Sequence, residues 1–249
     1  MARKPKVLIP EDLGTQRPLA EKLPSSGFEL VRVPPGTGAD GVLKLAAEVD
    51  AIACHPRLRC PSALIGAAPR LRAVVSTVIG VDHIDVAACS ERSIIVANGA
   101  APENFLGMAE ATVLAILAVT KELNRKQRAL REGHWRPEPL RAFLLRGRTL
   151  GLIGFGRISR GVVARLQGWE IRMLSYDPYV SPEAISAAGV EPVDLETLLK
   201  QSDIVSIHVL LTPESRGMIG ARELALMKPG SVIINNSRGG VVDEAALAR

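Results

Sequence analysis

The sequence predicts an α/β protein with two doubly wound, parallel-sheet domains that are joined by a long helix. Apolar residues make up 47% of the 249 residues, and aromatic residues only 3%. Such aliphatic cores suit parallel sheets that helices cover on both faces. Short apolar strands alternate with helical stretches in both halves, and the chain exceeds the length of one typical domain.

The first half contains five short apolar runs that we interpret as strands. They are KVLIP (6–10), FELVRV (28–33), AIAC (51–54), LRAVVST (71–77) and IIVAN (94–98). A helical pattern at 39–49 falls between two of them. Strands that alternate with helices need crossover connections, so this half predicts a parallel sheet in a domain of residues 1–104.

Residues 102–124 are apolar nearly all round, so we expect a helix that is buried on several sides between two domains. Its longest apolar run, 111–120, is too short to span a bilayer. The basic segment 125–148 is predicted to be irregular. A nucleic-acid patch is one interpretation of its charges, and we favour a solvated arm that Trp135 anchors.

The second half predicts another doubly wound unit, here assigned to residues 105–249. Its strands are 149–155, 171–177, 203–210 and 231–237, and its helices start at Arg157, 195 and about 221. A further helix at 181–189 carries its own signals: Ser181 as the cap, Pro182 in the first turn and Gly189 past the end.

Charge and cysteine content narrow the class of ligand and the compartment. Lys and Arg exceed Asp and Glu by 31 to 26, which favours small anionic ligands over nucleic acid because stacking aromatic residues are not interleaved. Cys54, Cys60 and Cys89 lack the paired spacing of a zinc site, so we expect buried thiols and no metal. Without an export signal, the prediction is a cytoplasmic protein that is not bound to a membrane.

A glycine-rich loop, GLIGFGRISRG (151–161), follows one predicted strand and opens a helix. Gly154 permits a tight turn, Gly156 lets the backbone approach a pyrophosphate, and the helix start at Arg157 and Ile158 offers N–H groups to it. Ser159 replaces the third glycine of the usual fingerprint. Such a loop alone is weak support, because glycine turns also serve plain strand-to-helix corners.

Asp177 strengthens this interpretation because it ends the next strand, 21 residues after Gly156. A carboxylate there can accept both ribose hydroxyls of an adenosine and would repel the 2′-phosphate of NADP. No arginine in the following PYVSP reverses that preference. The alternative is an ordinary turn residue before Pro178. Strand, loop, helix and spacing together predict a Rossmann-like NAD site.

Several motifs resemble the D-isomer-specific 2-hydroxyacid dehydrogenase family. They are GRTLGLIGFGRIS, the YDP after it, SDIVSIHVLLTPESRGMI (202–219), MKPGSVIINNSRGGVVDEAAL (227–247), STVIGVDHID (76–85) and GMAEATVLAILA (107–118). The likeness runs from about residue 50 to the end. It implies a substrate domain and an NAD domain, Rossmann-like or flavodoxin-like, and an oxidoreductase that interconverts a 2-oxo acid and a D-2-hydroxy acid by hydride transfer.

The resemblance also implies residue roles. Arg238 matches the arginine that grips the substrate carboxylate and keto oxygen, and a guanidinium suits both because it pairs bidentately with a carboxylate and stays charged. A solvent-facing or salt-bridged loop arginine is the alternative. Backbone N–H groups of Val78, Ile79 and Gly80 match those that hold the substrate carboxylate, although Gly80 also fits a simple turn.

Five further positions match the cofactor site of the family, to which Arg238 also belongs: His208, Thr212, Pro213, Asn236 and Ser237. A satisfied structural histidine explains His208 equally well. Leu210 stands where the family usually has proline, which is a departure in the local loop.

The glutamate and histidine that supply the proton in this family follow the RGG segment, and the chain ends before either. We therefore expect a C-terminally truncated form with weak cofactor binding and little turnover. A non-catalytic NAD-binding regulatory protein is the alternative function, and formate or phosphite oxidation is an alternative reaction. Family members commonly dimerise, so a homodimer through 105–148 is expected.

Overall fold

The computed structural model describes residues 3–11, 17–135 and 141–249, which form two compact units, Met1–Asn104 and Phe105–Arg249. Each unit contains one five-stranded sheet in which every strand pair is parallel. The predicted α/β class is therefore confirmed.

The first unit has the strand order β2-β1-β3-β4-β5, which is the flavodoxin-like order. Its strands are β1 (Lys6–Pro10), β2 (Glu29–Val33), β3 (Ala51–Cys54), β4 (Ala73–Ser76) and β5 (Ile95–Ala97). Its helices are α1 (Arg17–Ser25), α2 (Ala39–Ala46), α3 (Ser62–Ala67) and α4 (Val86–Glu91). All five predicted strands are present, whereas α1, α3 and α4 were not predicted.

Both faces of the first sheet are buried, as its continuous apolar strands predict. Leu8 belongs to one hydrophobic cluster, and its neighbours Val7 and Ile9 belong to another. Because successive side chains of a strand point to opposite faces, the two clusters lie on opposite sides of the sheet.

The second unit has the order β10-β9-β6-β7-β8, in which the first strand along the chain is central, as in Rossmann-like domains. Its strands are β6 (Thr149–Ile153), β7 (Arg172–Tyr176), β8 (Glu191–Pro192), β9 (Ile204–Ile207) and β10 (Val232–Asn235). Its helices are α5 (Pro102–Thr120), α6 (Leu123–Arg131), α7 (Arg157–Leu166), α8 (Pro182–Ser186), α9 (Leu195–Gln201), α10 (Ala221–Leu226) and α11 (Glu244–Leu247), and a 3-10 turn covers Gly239–Val241.

Helix α5 differs from the prediction of burial on several sides. Its buried residues, Ala109, Thr112, Ile116 and Thr120, recur every three or four positions and therefore form one stripe. Leu114 on another side is 62% exposed. By length and composition alone the helix could cross a membrane, a test that the core helix of a soluble protein also passes. Ala109 and Ile116 belong to the main hydrophobic cluster of the second unit, which makes α5 a core helix of that unit.

The basic segment 125–148 is not irregular throughout. Helix α6 extends to Arg131, because Arg, Lys, Gln, Ala and Leu are all good helix formers. Glu122, in the left-handed conformation, separates α6 from α5. Trp135 is 79% exposed and so does not anchor the segment within the chain. Residues 136–140 of this prediction lie outside the described residues.

Candidate functional site

The carboxyl edge of the second sheet brings several predicted residues to neighbouring positions. The last residues of β10, β9, β6 and β7 pair in register, Asn235 with Ile207, Ile207 with Ile153, and Ile153 with Tyr176. The loops that follow these strands therefore start side by side. The chain leaves the central strand β6 first toward β7 and later returns to β9, and this reversal is where doubly wound sheets bind ligands.

Gly154, in the loop between β6 and α7, occupies a position that has no room for a side chain. Its φ is +91°, and a Cβ there would lie 2.9 Å from the carbonyl oxygen of His208 and 3.0 Å from Cγ1 of Val209. Its N–H donates to the Tyr176 carbonyl at 2.8 Å. Only glycine meets both the conformational and the steric requirement.

Gly156 has a different role from Gly154. It precedes the first residue of α7 with an ordinary φ of −80°, and a Cβ there would meet no atom within 4 Å. The backbone therefore faces open space at the helix N-terminus, where the N–H groups of Arg157 and Ile158 and the positive end of the helix dipole favour an anion. This geometry fits a pyrophosphate.

Ser159 occupies the third position of the fingerprint without loosening the loop. Its side chain is fully buried, and its hydroxyl donates to the Gly154 carbonyl at 2.6 Å. Close helix packing is supplied two residues later, since a Cβ on Gly161 would lie 2.9 Å from the Cβ of Ala109 in α5. The sequence showed only that a glycine was missing at 159, and the compensating hydrogen bond was not predicted.

Asp177 directly follows β7 and faces the glycine loop. Its Oδ2 accepts the Phe155 N–H at 2.7 Å, and its Oδ1 accepts the Tyr179 N–H at 2.8 Å. A carboxylate has about four lone-pair sites, so two backbone donors leave capacity for a vicinal diol. The half-buried carboxylate is thus fixed in orientation beside the loop and fits the ribose of NAD.

His208 follows β9, and its ring is only partly exposed. Its Nε2 lies 2.9 Å from the Ser206 hydroxyl, and burial lowers the pKa of the imidazole to about 4. The ring is therefore neutral near pH 7 and pairs with a hydroxyl.

The loop that follows His208 forms an exposed turn. Thr212 and Pro213 are exposed, and Thr212 and Ser215 close the turn through two reciprocal hydrogen bonds of 2.8 and 3.2 Å. Leu210 is 71% exposed in the same loop.

Arg238 lies in the turn that follows β10 and is half-buried. Its Nη1 donates to the Ser237 carbonyl at 2.9 Å, and its own carbonyl accepts from Asn235 Nδ2 at 2.9 Å. Oδ1 of Asn235 also accepts the Ser237 hydroxyl at 2.7 Å. Asn236 donates to the hydroxyl of Thr112 in α5 at 3.2 Å. Asn235 organises the turn, and sequence reasoning missed it because an asparagine at a strand end has many roles.

The residues predicted to bind the substrate carboxylate belong to the first unit, where Val78, Ile79 and Gly80 follow β4 and are half-buried. The N–H groups of Ile79 and Gly80 donate to no residue that the structure describes, whereas the Val78 N–H lies 3.4 Å from the Ser76 hydroxyl. Within the described part of the chain, Ile79 and Gly80 therefore keep unpaired N–H donors, whereas the Val78 N–H faces the Ser76 hydroxyl.

The three cysteines are all buried and reduced, as predicted. Cys54 Sγ lies 3.3 Å from Nε2 of His83, and burial raises the pKa of Cys54 and of Cys60 to about 12. Within the described ranges, no group of three or more His, Cys, Asp or Glu residues could hold a metal ion.

The fold and the loop geometry define a dinucleotide-binding α/β protein. Residues 113–249 match the NAD-binding domain of the D-isomer specific 2-hydroxyacid dehydrogenases, and the chain belongs to this family. The resemblance in its motifs and the prediction of NAD as the cofactor are thus confirmed.

Named relatives agree with this assignment. The chain is 34% identical over 242 residues to a D-3-phosphoglycerate dehydrogenase of Archaeoglobus fulgidus, covering 97% of this chain and 45% of the relative. It is 35% identical to a glyoxylate reductase of Thermococcus litoralis, covering 89% of this chain and 69% of the relative. The chain thus spans about half the length of the D-3-phosphoglycerate dehydrogenases it matches.

Solved structures are similar over nearly the whole chain. A glyoxylate reductase from Paecilomyes thermophila has a TM-score of 0.86 at 28% identity, over 100% of this chain and 78% of that one. A D-lactate dehydrogenase from Aquifex aeolicus, complexed with NAD and lactic acid, has a TM-score of 0.83 at 28% identity, over 97% and 72%.

Proposed function

We propose that this protein is an NAD-dependent oxidoreductase that interconverts a 2-oxo acid and a D-2-hydroxy acid. The observation that carries the proposal is the in-register row of strand ends, from which the glycine loop, Asp177, His208 and the Arg238 turn all start. In this proposal residues 1–104 form the substrate domain and residues 105–249 the NAD domain. The bound nicotinamide would accept or supply the hydride.

Different residues of the second unit bind different parts of the cofactor in this proposal. Gly154, Gly156, Arg157 and Ile158 hold the pyrophosphate, and Asp177 accepts the adenosine ribose hydroxyls. The charge of Asp177 disfavours a 2′-phosphate, so the proposal specifies NAD over NADP. His208, Thr212, Pro213, Asn236 and Ser237 line the remainder of the site.

Arg238 orients the substrate in this proposal. Its guanidinium pairs with the substrate carboxylate and keto oxygen, and it stabilises negative charge that develops on that oxygen when hydride arrives. Backbone N–H groups of the 78–80 loop hold the carboxylate. Burial lowers the pKa of His208 to about 4, so at neutral pH the ring is a neutral imidazole and not an imidazolium acid.

The test is NADH oxidation by the 249-residue chain with glyoxylate, hydroxypyruvate and pyruvate, together with NADH titration followed by fluorescence. We expect weak but saturable NADH binding, weakened at least ten-fold further in Asp177→Ala, and slow turnover that Arg238→Gln abolishes while NADH still binds. NADH binding without turnover of any 2-oxo acid would favour a non-catalytic NAD-binding protein. Turnover only with formate or phosphite and NAD would replace the substrate class.

A homodimer through 105–148 is a second part of the proposal, and residues 136–140 of that range lie outside the described part of the chain. Large apolar side chains that the single chain leaves exposed support it: Leu114 at 62%, Val119 at 50% and Leu130 at 56%. Large apolar side chains left exposed in one segment are typical of an interface between copies. We also propose a cytoplasmic location, consistent with three reduced, buried cysteines.

A further inference from the structure

Ser76, the last residue of β4, lies at the centre of the loop that follows it. The residue is fully buried, and its Oγ lies 2.7 Å from the Gly80 carbonyl oxygen and 3.0 Å from the Val78 carbonyl oxygen. The Val78 N–H lies 3.4 Å from the same oxygen. The loop therefore folds back on one hydroxyl, which is shielded from competing water.

The middle carbonyl of this loop is held by a different segment. Asn98 Nδ2 donates to the Ile79 carbonyl at 2.9 Å, and the Gly99 N–H donates to the Val78 carbonyl at 3.1 Å. Position 99 has no room for a side chain, because a Cβ there would lie 2.9 Å from the Thr77 carbonyl oxygen. Three successive carbonyls, those of Val78, Ile79 and Gly80, thus accept hydrogen bonds from the first unit itself.

Fixing these carbonyls also fixes the N–H groups that follow them. In a planar trans peptide the C=O and N–H bonds point in opposite directions. The N–H groups of Ile79, Gly80 and Val81 are therefore directed away from the donors that hold the preceding carbonyls. None of the three donates to any residue in the described ranges. Runs of successive unpaired backbone N–H groups are a recurrent binding site for an anionic oxygen in proteins.

We propose that Ser76 is a positioning residue, assisted by Asn98, which sets the direction of the Ile79, Gly80 and Val81 N–H groups toward the carboxylate of the substrate. Neither side chain needs to touch the substrate, since both act through the peptide units of the loop. The inference rests on the proposed function and adds Val81 to the carboxylate donors while removing Val78. Ser76 carries more of the effect than Asn98, because Asn98 is exposed and water can replace its hydrogen bond.

The test uses oxalate as the probe and follows the backbone amide resonances of the 249-residue chain by NMR. We expect oxalate to shift the Ile79, Gly80 and Val81 amides in the natural protein. Ser76→Ala should raise the oxalate dissociation constant at least ten-fold with NADH affinity unchanged, and Ser76→Thr, which keeps the hydroxyl, should restore it to within about three-fold. Ser202→Ala is the matched control, because Ser202 is equally buried and its hydroxyl donates to the Leu198 carbonyl at 2.7 Å in the other unit.

The outcomes separate this inference from the function on which it rests. If oxalate shifts the three amides but Ser76→Ala binds it as well as the natural protein, the positioning role is wrong and the proposed function stands. If oxalate leaves those amides unshifted in the natural protein, the proposed carboxylate site itself is wrong. If Ser76→Ala does not fold, Ser76→Cys decides, because a thiol is only a weak hydrogen-bond donor, and an oxalate affinity unchanged from that of the natural protein would overturn the inference.

Discussion

Replacing the two loop glycines singly by alanine should separate a structural requirement from a ligand-binding one. At Gly154, alanine must adopt a φ of +91°, which costs about 1–3 kcal/mol for a residue with a Cβ. Its Cβ would also lie 2.9 Å from the His208 carbonyl oxygen, and such overpacking costs roughly 1–3 kcal/mol more. We therefore expect Gly154→Ala to lose about 2–6 kcal/mol of unfolding free energy.

Gly156→Ala is the matched control, because its φ of −80° suits alanine and its Cβ would meet no atom within 4 Å. We expect its unfolding free energy to stay within about 1 kcal/mol of the natural protein. Its NADH affinity should fall at least about ten-fold, because the added methyl fills the space through which a pyrophosphate approaches the backbone.

The measurements are urea unfolding followed by far-UV circular dichroism and NADH titration followed by fluorescence. A Gly154→Ala protein as stable as the natural one would refute the argument from the positive φ and the His208 contact. A Gly156→Ala protein that binds NADH normally would refute the placement of the pyrophosphate at the start of α7. Because the two glycines lie only two positions apart, different results for the two variants separate the structural requirement from the ligand-binding one within a single loop.

Three further predictions concern single side chains. Ser159→Ala should cost about 1–3 kcal/mol of unfolding free energy, since the buried Gly154 carbonyl loses its 2.6 Å donor. The control Ser90→Ala removes an exposed hydroxyl and should cost less than about 0.5 kcal/mol. Equal losses in the two variants would contradict the structural role of the Ser159 hydroxyl. Below pH 6.5 the unfolded state binds a proton at His208, whereas the folded state does not bind it until about pH 4. As the pH drops through that window, the unfolding free energy should therefore fall, relative to that of His208→Gln, by about 1.4 kcal/mol per pH unit in paired urea titrations. Parallel pH profiles of the two proteins would refute a depressed pKa. Leu114→Asp should convert the proposed dimer to monomer in sedimentation velocity, whereas Arg222→Asp should not, and a natural protein that sediments only as monomer at high concentration would contradict the dimer.

The strands and the glycine loop were predictable because their signals are local. Continuous apolar runs predicted every strand except β8, which has only two residues. The short helices α3 and α4 have six residues each and are too short to show a helical period. Helix α5 was assigned the wrong burial for a related reason. An all-round apolar pattern shows that a surface avoids water, but it does not show whether the same chain or another copy covers it.

The sequence by itself determined the fold class and the family, and it predicted most residues of the proposed site, because hydrophobic period, glycine spacing and a carboxylate at a strand end are features of neighbouring positions. The tertiary structure alone decided which polar atoms meet. The Asp177 carboxylate holds the N–H of Phe155, Asn98 holds the carbonyl of Ile79, and Asn236 holds Thr112 across 124 positions of sequence. The reason is physical: hydrogen bonds act over about 3 Å, and only the packing of strands and helices brings residues that are distant in sequence within that range.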